Sequence, residues 1–325
     1  MVYVLIGLAL IFDFLNGFHD SSNVVATPIS SGAMNPRAAL YTAAVTHFVA
    51  PFLFGVAVAT AIGDGLLVDR AITINVVVAG LFSAVVWNLV TWYLGLPSSS
   101  SHALVGGLLG AAVLAEGMRV VQIDGLTKIM IALLVSPPLG LVVGFAVMKL
   151  TLWLARKAPP SVNTGFRRAQ IITLVGLALG HGTNDAQKTM GVITMGLLAG
   201  GMIPTFHVPV WVIALSSGAI AAGTALGGWR LIRTLGAKIY RIRPIHGFAS
   251  QIAGAAVIMG AALVGGPVST TQVMSSAIMG VGAAERLSKV RWLVLRDLAA
   301  AWLLTIPATA ALSALVLLGL NVLGV

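Results

Sequence analysis

The chain has 325 residues, 58% of them hydrophobic and 9% charged, with a mean hydropathy of +1.00. Soluble domains carry roughly 25% charged residues, so the composition excludes an ordinary soluble domain and indicates an integral membrane protein of continuous apolar helices rather than an alternating barrel. The net charge of +10 does not point to nucleic acid, because Lys and Arg fall between apolar segments and make no aromatic-interleaved surface, and the absence of cysteine excludes disulfides, thiolate metal sites and a cysteine nucleophile.

In chain order, Met1 to Leu15 reads as a helix, retained rather than cleaved because no basic segment precedes it. It is expected to stop at Asn16-Gly17, where the polar run Asn16-Gly17-Phe18-His19-Asp20-Ser21-Ser22-Asn23 begins, and to resume from Val24 to Ala33. Neither piece spans alone, which predicts a broken helix whose freed backbone lines a protein cavity. Asn35-Pro36-Arg37 is a turn, Ala38 to Ile62 a full span, and Ala71 to Gly95 another. Next comes Pro97-Ser98-Ser99-Ser100-Ser101-His102, followed only by the half-length apolar run Ala103 to Ala115. Leu126 to Leu152 spans, with an interruption at Pro137-Pro138. The Pro- and Arg-containing segment 155–168 is the one clear linker and divides a first repeat, 1–154, from a second, 169–325.

The second repeat restates the first. A short apolar approach leads to Gly180-His181-Gly182-Thr183-Asn184-Asp185-Ala186-Gln187-Lys188, with Asp185 in the place of Asp20 and Lys188 in that of Asn23. Spans follow at 208–228 and 247–266, separated by a basic stretch from Trp229 to Arg243. Pro267-Val268-Ser269-Thr270-Thr271-Gln272 then opens a second half-length piece, Val273 to Ala284, and Trp292 to Leu320 closes the chain with a bend at Pro307. Basic clusters at Arg156, Lys157, Arg167 and Arg168, at Arg230, Arg233, Lys238, Arg241 and Arg243, and at Arg286, Lys289, Arg291 and Arg296 are assigned to the cytoplasm by the positive-inside rule.

An acid inside apolar sequence costs roughly 2.5–3.5 kcal/mol at the bilayer centre, so Asp20 and Asp185 need a reason. Coordination of a coupling cation, or carriage of a coupled proton, is one; capping of a broken helix is the bland alternative, and duplication favours the first. Lys188, three residues after Asp185 on one helical face, is expected to pair with it at rest. His19 and His102 titrate near neutral pH in water and read equally as proton carriers or packing residues. The hydroxyl runs Ser98 to Ser101 and Ser269 to Thr271, each behind Pro at the start of a half-length helix, read as oxyanion donors. A metal-dependent intramembrane phosphohydrolase using His19, Asp20, His181 and Asp185 is disfavoured, because no HExxH and no further carboxylate cluster supplies a metal.

At these residues the chain resembles the inorganic phosphate transporter (PiT) family, in particular its bacterial low-affinity permeases. The likeness is carried by Gly182-Thr183-Asn184-Asp185, Asn16-Gly17-Phe18-His19-Asp20, Trp87-Asn88-Leu89, Gly95-Leu96-Pro97 with its Ser run, Gly228-Trp229-Arg230 and Pro267-Val268-Ser269-Thr270-Thr271. The resemblance implies an all-α polytopic membrane protein with two inverted-topology repeats and broken or re-entrant helices. It implies a plasma-membrane symporter, not an enzyme, that imports phosphate, free or metal-complexed, with H+ or Na+ and as a homodimer. The substrate site it implies is Asp20, Asn23, Ser99, Ser100, Ser101, Asn184, Asp185, Ser269, Thr270 and Thr271, with Asp20, Asn184, Asp185 and His19 at the coupling ion and no resident metal or other cofactor. Gln272 stands where many bacterial relatives have His, leaving His102 without its symmetric counterpart. A sulfate permease on the same scaffold and a passive anion pore are the rival readings.

Overall fold

The computed structural model describes residues 1–96, 98–227, 242–290 and 292–324. Pro97, Arg291 and the stretch 228–241, with Gly228-Trp229-Arg230, Lys238 and Arg241, lie outside them. Among the described residues the chain forms eleven α-helices: α1 (Val2–Ser30), α2 (Pro36–Phe54), α3 (Ala57–Gly63), α4 (Ile74–Leu94), α5 (Ser100–Glu116), α6 (Ile123–Leu154), α7 (Val162–Ala199), α8 (Val210–Leu226), α9 (Pro244–Leu263), α10 (Thr270–Glu285) and α11 (Trp292–Val322). Five are long and apolar enough to cross a membrane, or six if α2 and α3 count as one bent span. Outward helix faces carry exposed Tyr41, Leu134, Val142, Ile172 and Leu303, as expected of a multi-pass membrane protein whose surroundings are apolar.

The short helices stand where the sequence puts them, at α5 and α10, but the span expected at 208–228 is also short, α8 having the same 17 residues as α5. The breaks expected at the polar motifs do not form. α1 runs unbroken through Asn16–Asn23, and α7 runs unbroken for 38 residues through Gly180–Lys188, roughly 57 Å at helical rise. Their glycines serve close approach instead. A Cβ on Gly17 would collide with the Ile220 carbonyl of α8, and one on Gly182 would come 2.8 Å from the His47 Cα of α2. The actual break falls inside the span expected from Ala38 to Ile62: Gly55, at φ +77°, turns the chain by 80° between α2 and α3, a conformation that favours glycine. Pro137-Pro138 also fails to interrupt α6, and the connection between halves is shorter than expected, since α7 starts at Val162.

The packing is reciprocal. α1 lies against α8 while α7 lies against α2; α5 lies against α11 while α10 lies against α6; α4 and α9 contact α11 and α6 respectively. Each half therefore completes itself on the other. Two apolar cores result. One gathers Leu5, Ala9 and Phe12 with Met190, Val192 and Ile193, and the other gathers Val24, Val25 and Ala26 with Leu174, Leu177 and Ala178. Along α1 and α7 the residues between those cores are the polar motifs, which hold a buried polar layer between two apolar ones.

Candidate functional site

Two long helices and one short one build the centre of that layer. α1 supplies Asp20 and Asn23 at a spacing of three, and α7 supplies Asp185 and Lys188 at the same spacing, so each pair shares a helical face. α10 starts between them. Its N-cap Ser269 accepts a hydrogen bond from the Gln272 backbone N–H, as Ser99 of α5 accepts one from His102, with nearly the same backbone angles (φ −88°, ψ 101° and φ −104°, ψ 111°). The Ser-run and Ser-Thr-Thr motifs thus make equivalent helix starts in the two halves, each leaving N–H groups of its first turn without helical partners.

Asp20 Oδ1 accepts from Thr271 Oγ1 at 2.7 Å and from Asn23 Nδ2 at 2.7 Å, and Asn23 Nδ2 also donates to Thr271 Oγ1 at 3.0 Å. Thr270 Oγ1 lies 3.2 Å from Asp20 Oδ2 and 3.1 Å from Asp185 Oδ2. A hydroxyl has one proton to give, so Thr270 serves one acid at a time. The two distances cap the separation of the carboxylate oxygens at 6.3 Å, where like charges repel by roughly 3 kcal/mol at an effective dielectric of 20. Lys188 Nζ binds Asp185 Oδ1 at 2.6 Å, both side chains almost wholly buried, and also donates to the Val268 carbonyl at 2.9 Å. Among the described residues Asp185 has a cation and Asp20 only neutral donors.

Asn184 grips the approach to α10 by donating to the Gly266 carbonyl (3.0 Å) and accepting from the Val268 N–H (3.2 Å). Ser101 reaches across from α5 to the Val268 carbonyl at 2.9 Å. Ser99, besides capping, meets His102 Nδ1 at 2.7 Å, and Gln272 Nε2 lies 3.5 Å from that nitrogen, so Gln272 is the side chain that faces His102 across the two helix starts. One network therefore joins Asn23, Asp20, Thr271, Thr270, Asp185, Lys188 and Ser101, with Asn184 and Ser269 holding its frame. Ser100 is half-buried and its hydroxyl makes no bond among the described residues. His19 is half-buried too, and its Nε2 has no partner among the described residues; one residue from Asp20, it points about 100° away around the helix.

Two functional candidates escape a reading of motifs. Gln187 donates to the Gly55 carbonyl at 2.6 Å and accepts from Val58 N–H (2.8 Å) and Ala59 N–H (3.2 Å), so α7 itself satisfies the broken backbone between α2 and α3. Asp13, fully buried, accepts from Thr189 at 2.6 Å. The cost of a buried acid applied to Asp13 as it did to Asp20 and would have found it.

The phosphate transporter family model matches residues 16–313, which include every residue of this network. The chain belongs to the phosphate transporter family. Its relatives include a probable low-affinity inorganic phosphate transporter of Rhizobium meliloti, 43% identical over 96% of this chain and 94% of the relative. A protein so described from Bacillus subtilis is 41% identical over 97% and 96%. One solved structure, of a sodium-dependent phosphate transporter, superposes with a TM-score of 0.88 over 99% of both chains at 24% identity, a likeness that speaks to the fold. The family is one of transporters, not enzymes.

Proposed function

We propose that the protein imports inorganic phosphate by cation-coupled symport, the oxyanion and cation meeting at the polar layer between α1, α7 and α10. The observation that carries this reading is the sharing of Thr270 by Asp20 and Asp185, with Thr271 committed to Asp20. The donors suited to an oxyanion are occupied by carboxylates, and one of those carboxylates has no cation among the described residues. A phosphate entering beside Asp20 meets repulsion of roughly 3 kcal/mol per like charge at about 6 Å. A proton or sodium ion at Asp20 removes that charge and releases the hydroxyls of Thr270 and Thr271 toward the anion, so neither solute binds well without the other. Asp185, neutralised by Lys188, stays as the fixed half.

Within this reading, Asn23 and Asn184 hold Asp20 and the α10 start in place, while Ser99, Ser100, Ser101 and Ser269 offer the helix-start donors of the two halves. The reciprocal packing supports inverted repeats that rock against one another for alternating access. The working assembly is a homodimer in the plasma membrane, and the coupling ion is a proton or sodium. Phosphate is favoured over sulfate because near neutral pH it still carries a proton to donate to a carboxylate, and sulfate does not.

Radiolabelled phosphate uptake into proteoliposomes tests the proposal, with proton and sodium gradients imposed separately and unlabelled sulfate as competitor. Accumulation driven by one gradient and resistant to sulfate is expected and names the ion. Efficient competition by sulfate, or equilibration without accumulation under either gradient, overturns it.

A further inference from the structure

Asp13 lies seven residues before Asp20, about 10 Å along α1, and the central network makes no use of it. Its Oδ1 is held by Thr189 of α7 at 2.6 Å, while Oδ2 has no partner among the described residues. Ser216 of α8 faces the same carboxyl without closing a normal hydrogen bond, and its hydroxyl is also unpartnered among the described residues. Asn16, three residues on and on the same helical face, is 1% exposed with both its amide oxygen and its amide nitrogen unpartnered among the described residues. A buried polar group left unpaired costs about 1–3 kcal/mol, and here several gather where three helices meet.

We propose that Asp13, Asn16, Thr189 and Ser216 form a second cation site, for a monovalent cation held by oxygen donors, one stage along α1 from the central site. One carboxylate balances one positive charge; a divalent ion would stay uncompensated in an apolar surround. The donors are carboxylate, amide carbonyl and hydroxyls, which suit a hard cation such as sodium or a proton and offer nothing to a soft one. The charged groups in electrostatic reach of Asp13 are Asp185 and Lys188, both on α7 and already paired to each other, so neither supplies the missing charge.

The site is also built to hold its shape. A Cβ on Gly17 would collide with the Ile220 carbonyl, and one on Gly223 with the Phe14 carbonyl, so α1 and α8 touch backbone to backbone just beyond it and keep Ser216 against Asp13. A polar track connects it to the centre. Asp13, Asn16, Asp20 and Asn23 follow one face of α1 at helical spacing, and Thr189 sits one turn beyond Asp185 on α7. The role as a waiting station that passes its cation to Asp20 rests on the symport reading; the existence of the site does not.

The test is therefore binding, not transport. The purified full chain is titrated with radiolabelled sodium without phosphate or gradient, and its infrared spectrum is scanned for a protonated carboxyl. Wild type, Asp13→Asn and Ser216→Ala are compared, each checked for folding by size exclusion and circular dichroism. If the occupant is sodium, Asp13→Asn loses one bound equivalent per chain and Ser216→Ala weakens binding severalfold. If it is a proton, the carboxyl band disappears in Asp13→Asn and shifts in Ser216→Ala. Unchanged sodium binding together with an unchanged band in both folded variants, or in folded Ser216→Ala if Asp13→Asn does not fold, overturns the site. A failure of phosphate uptake in the wild type would overturn the symport reading and leave this result standing.

Discussion

The two halves of the central site use the same helix positions for opposite electrostatic ends. In the first half Asp20 is met at i+3 by Asn23, a neutral donor at 2.7 Å; in the second Asp185 is met at i+3 by Lys188 at 2.6 Å. The residue two beyond the acid diverges as well. Ser22 bonds back to the His19 carbonyl of its own helix at 2.8 Å, whereas Gln187 reaches across to the broken backbone at Gly55. One carboxylate is thus met by neutral donors and the other is held in an ion pair; in the proposed mechanism the first is the one free to change its charge. The difference teaches that duplication of an acid in sequence does not imply duplication of its partners.

The comparison breaks most visibly in transport. Asp20→Asn should abolish gradient-driven phosphate accumulation in proteoliposomes while shifting stability by less than about 1 kcal/mol, since its partners Asn23, Thr270 and Thr271 are neutral. Asp185→Asn should also abolish accumulation, but with a marked fall in melting temperature, because it leaves Lys188 buried and charged. Lys188→Met should cost about 3–5 kcal/mol, the price of a buried charge left unpaired, read by thermal unfolding of the purified protein. Equal stability losses for Asp20→Asn and Asp185→Asn would erase the proposed asymmetry.

Gln187→Leu should destabilise by about 1–3 kcal/mol for each buried backbone group at the α2–α3 break that stays unpaired, whereas Ser22→Ala, which removes only a bond within one helix, should fall below about 1 kcal/mol. Hydrogen exchange at Val58 and Ala59 would locate the difference. Ser99→Ala and Ser269→Ala sharpen the comparison from the other side. Both remove an N-cap of like geometry, so each should lose roughly 0.5–2 kcal/mol, and Ser99→Ala should lose the more in thermal unfolding because Ser99 also bonds His102 Nδ1.

That likeness of the caps was legible in the sequence, as were the half-length helices behind them, because Ser or Thr at a helix start and a short apolar run are local signals. The pairing of Lys188 with Asp185 was legible for the same reason, being set by spacing within one helix. The expected breaks at Asn16-Gly17 and Gly180–Lys188 misread what glycine was for. Gly17 and Gly182 admit neighbouring helices, α8 and α2, that no local pattern announces. Gly55, the real break, sat inside a continuous apolar run and is held by Gln187 from a helix more than a hundred residues away. The sharing of Thr270 between Asp20 and Asp185 likewise exists only once three distant segments converge. Asp13 is the instructive omission, since its chemical signal was local and only the absence of a surrounding motif hid it.

The most direct test of the asymmetry compares two modes of phosphate movement in Asp20→Asn proteoliposomes: accumulation under an imposed cation gradient, and exchange of labelled for unlabelled phosphate with no gradient. An Asn at this position resembles an acid whose charge has been neutralised, so the account predicts that exchange persists while accumulation disappears. Normal accumulation by Asp20→Asn would contradict it and move the coupling role to another residue.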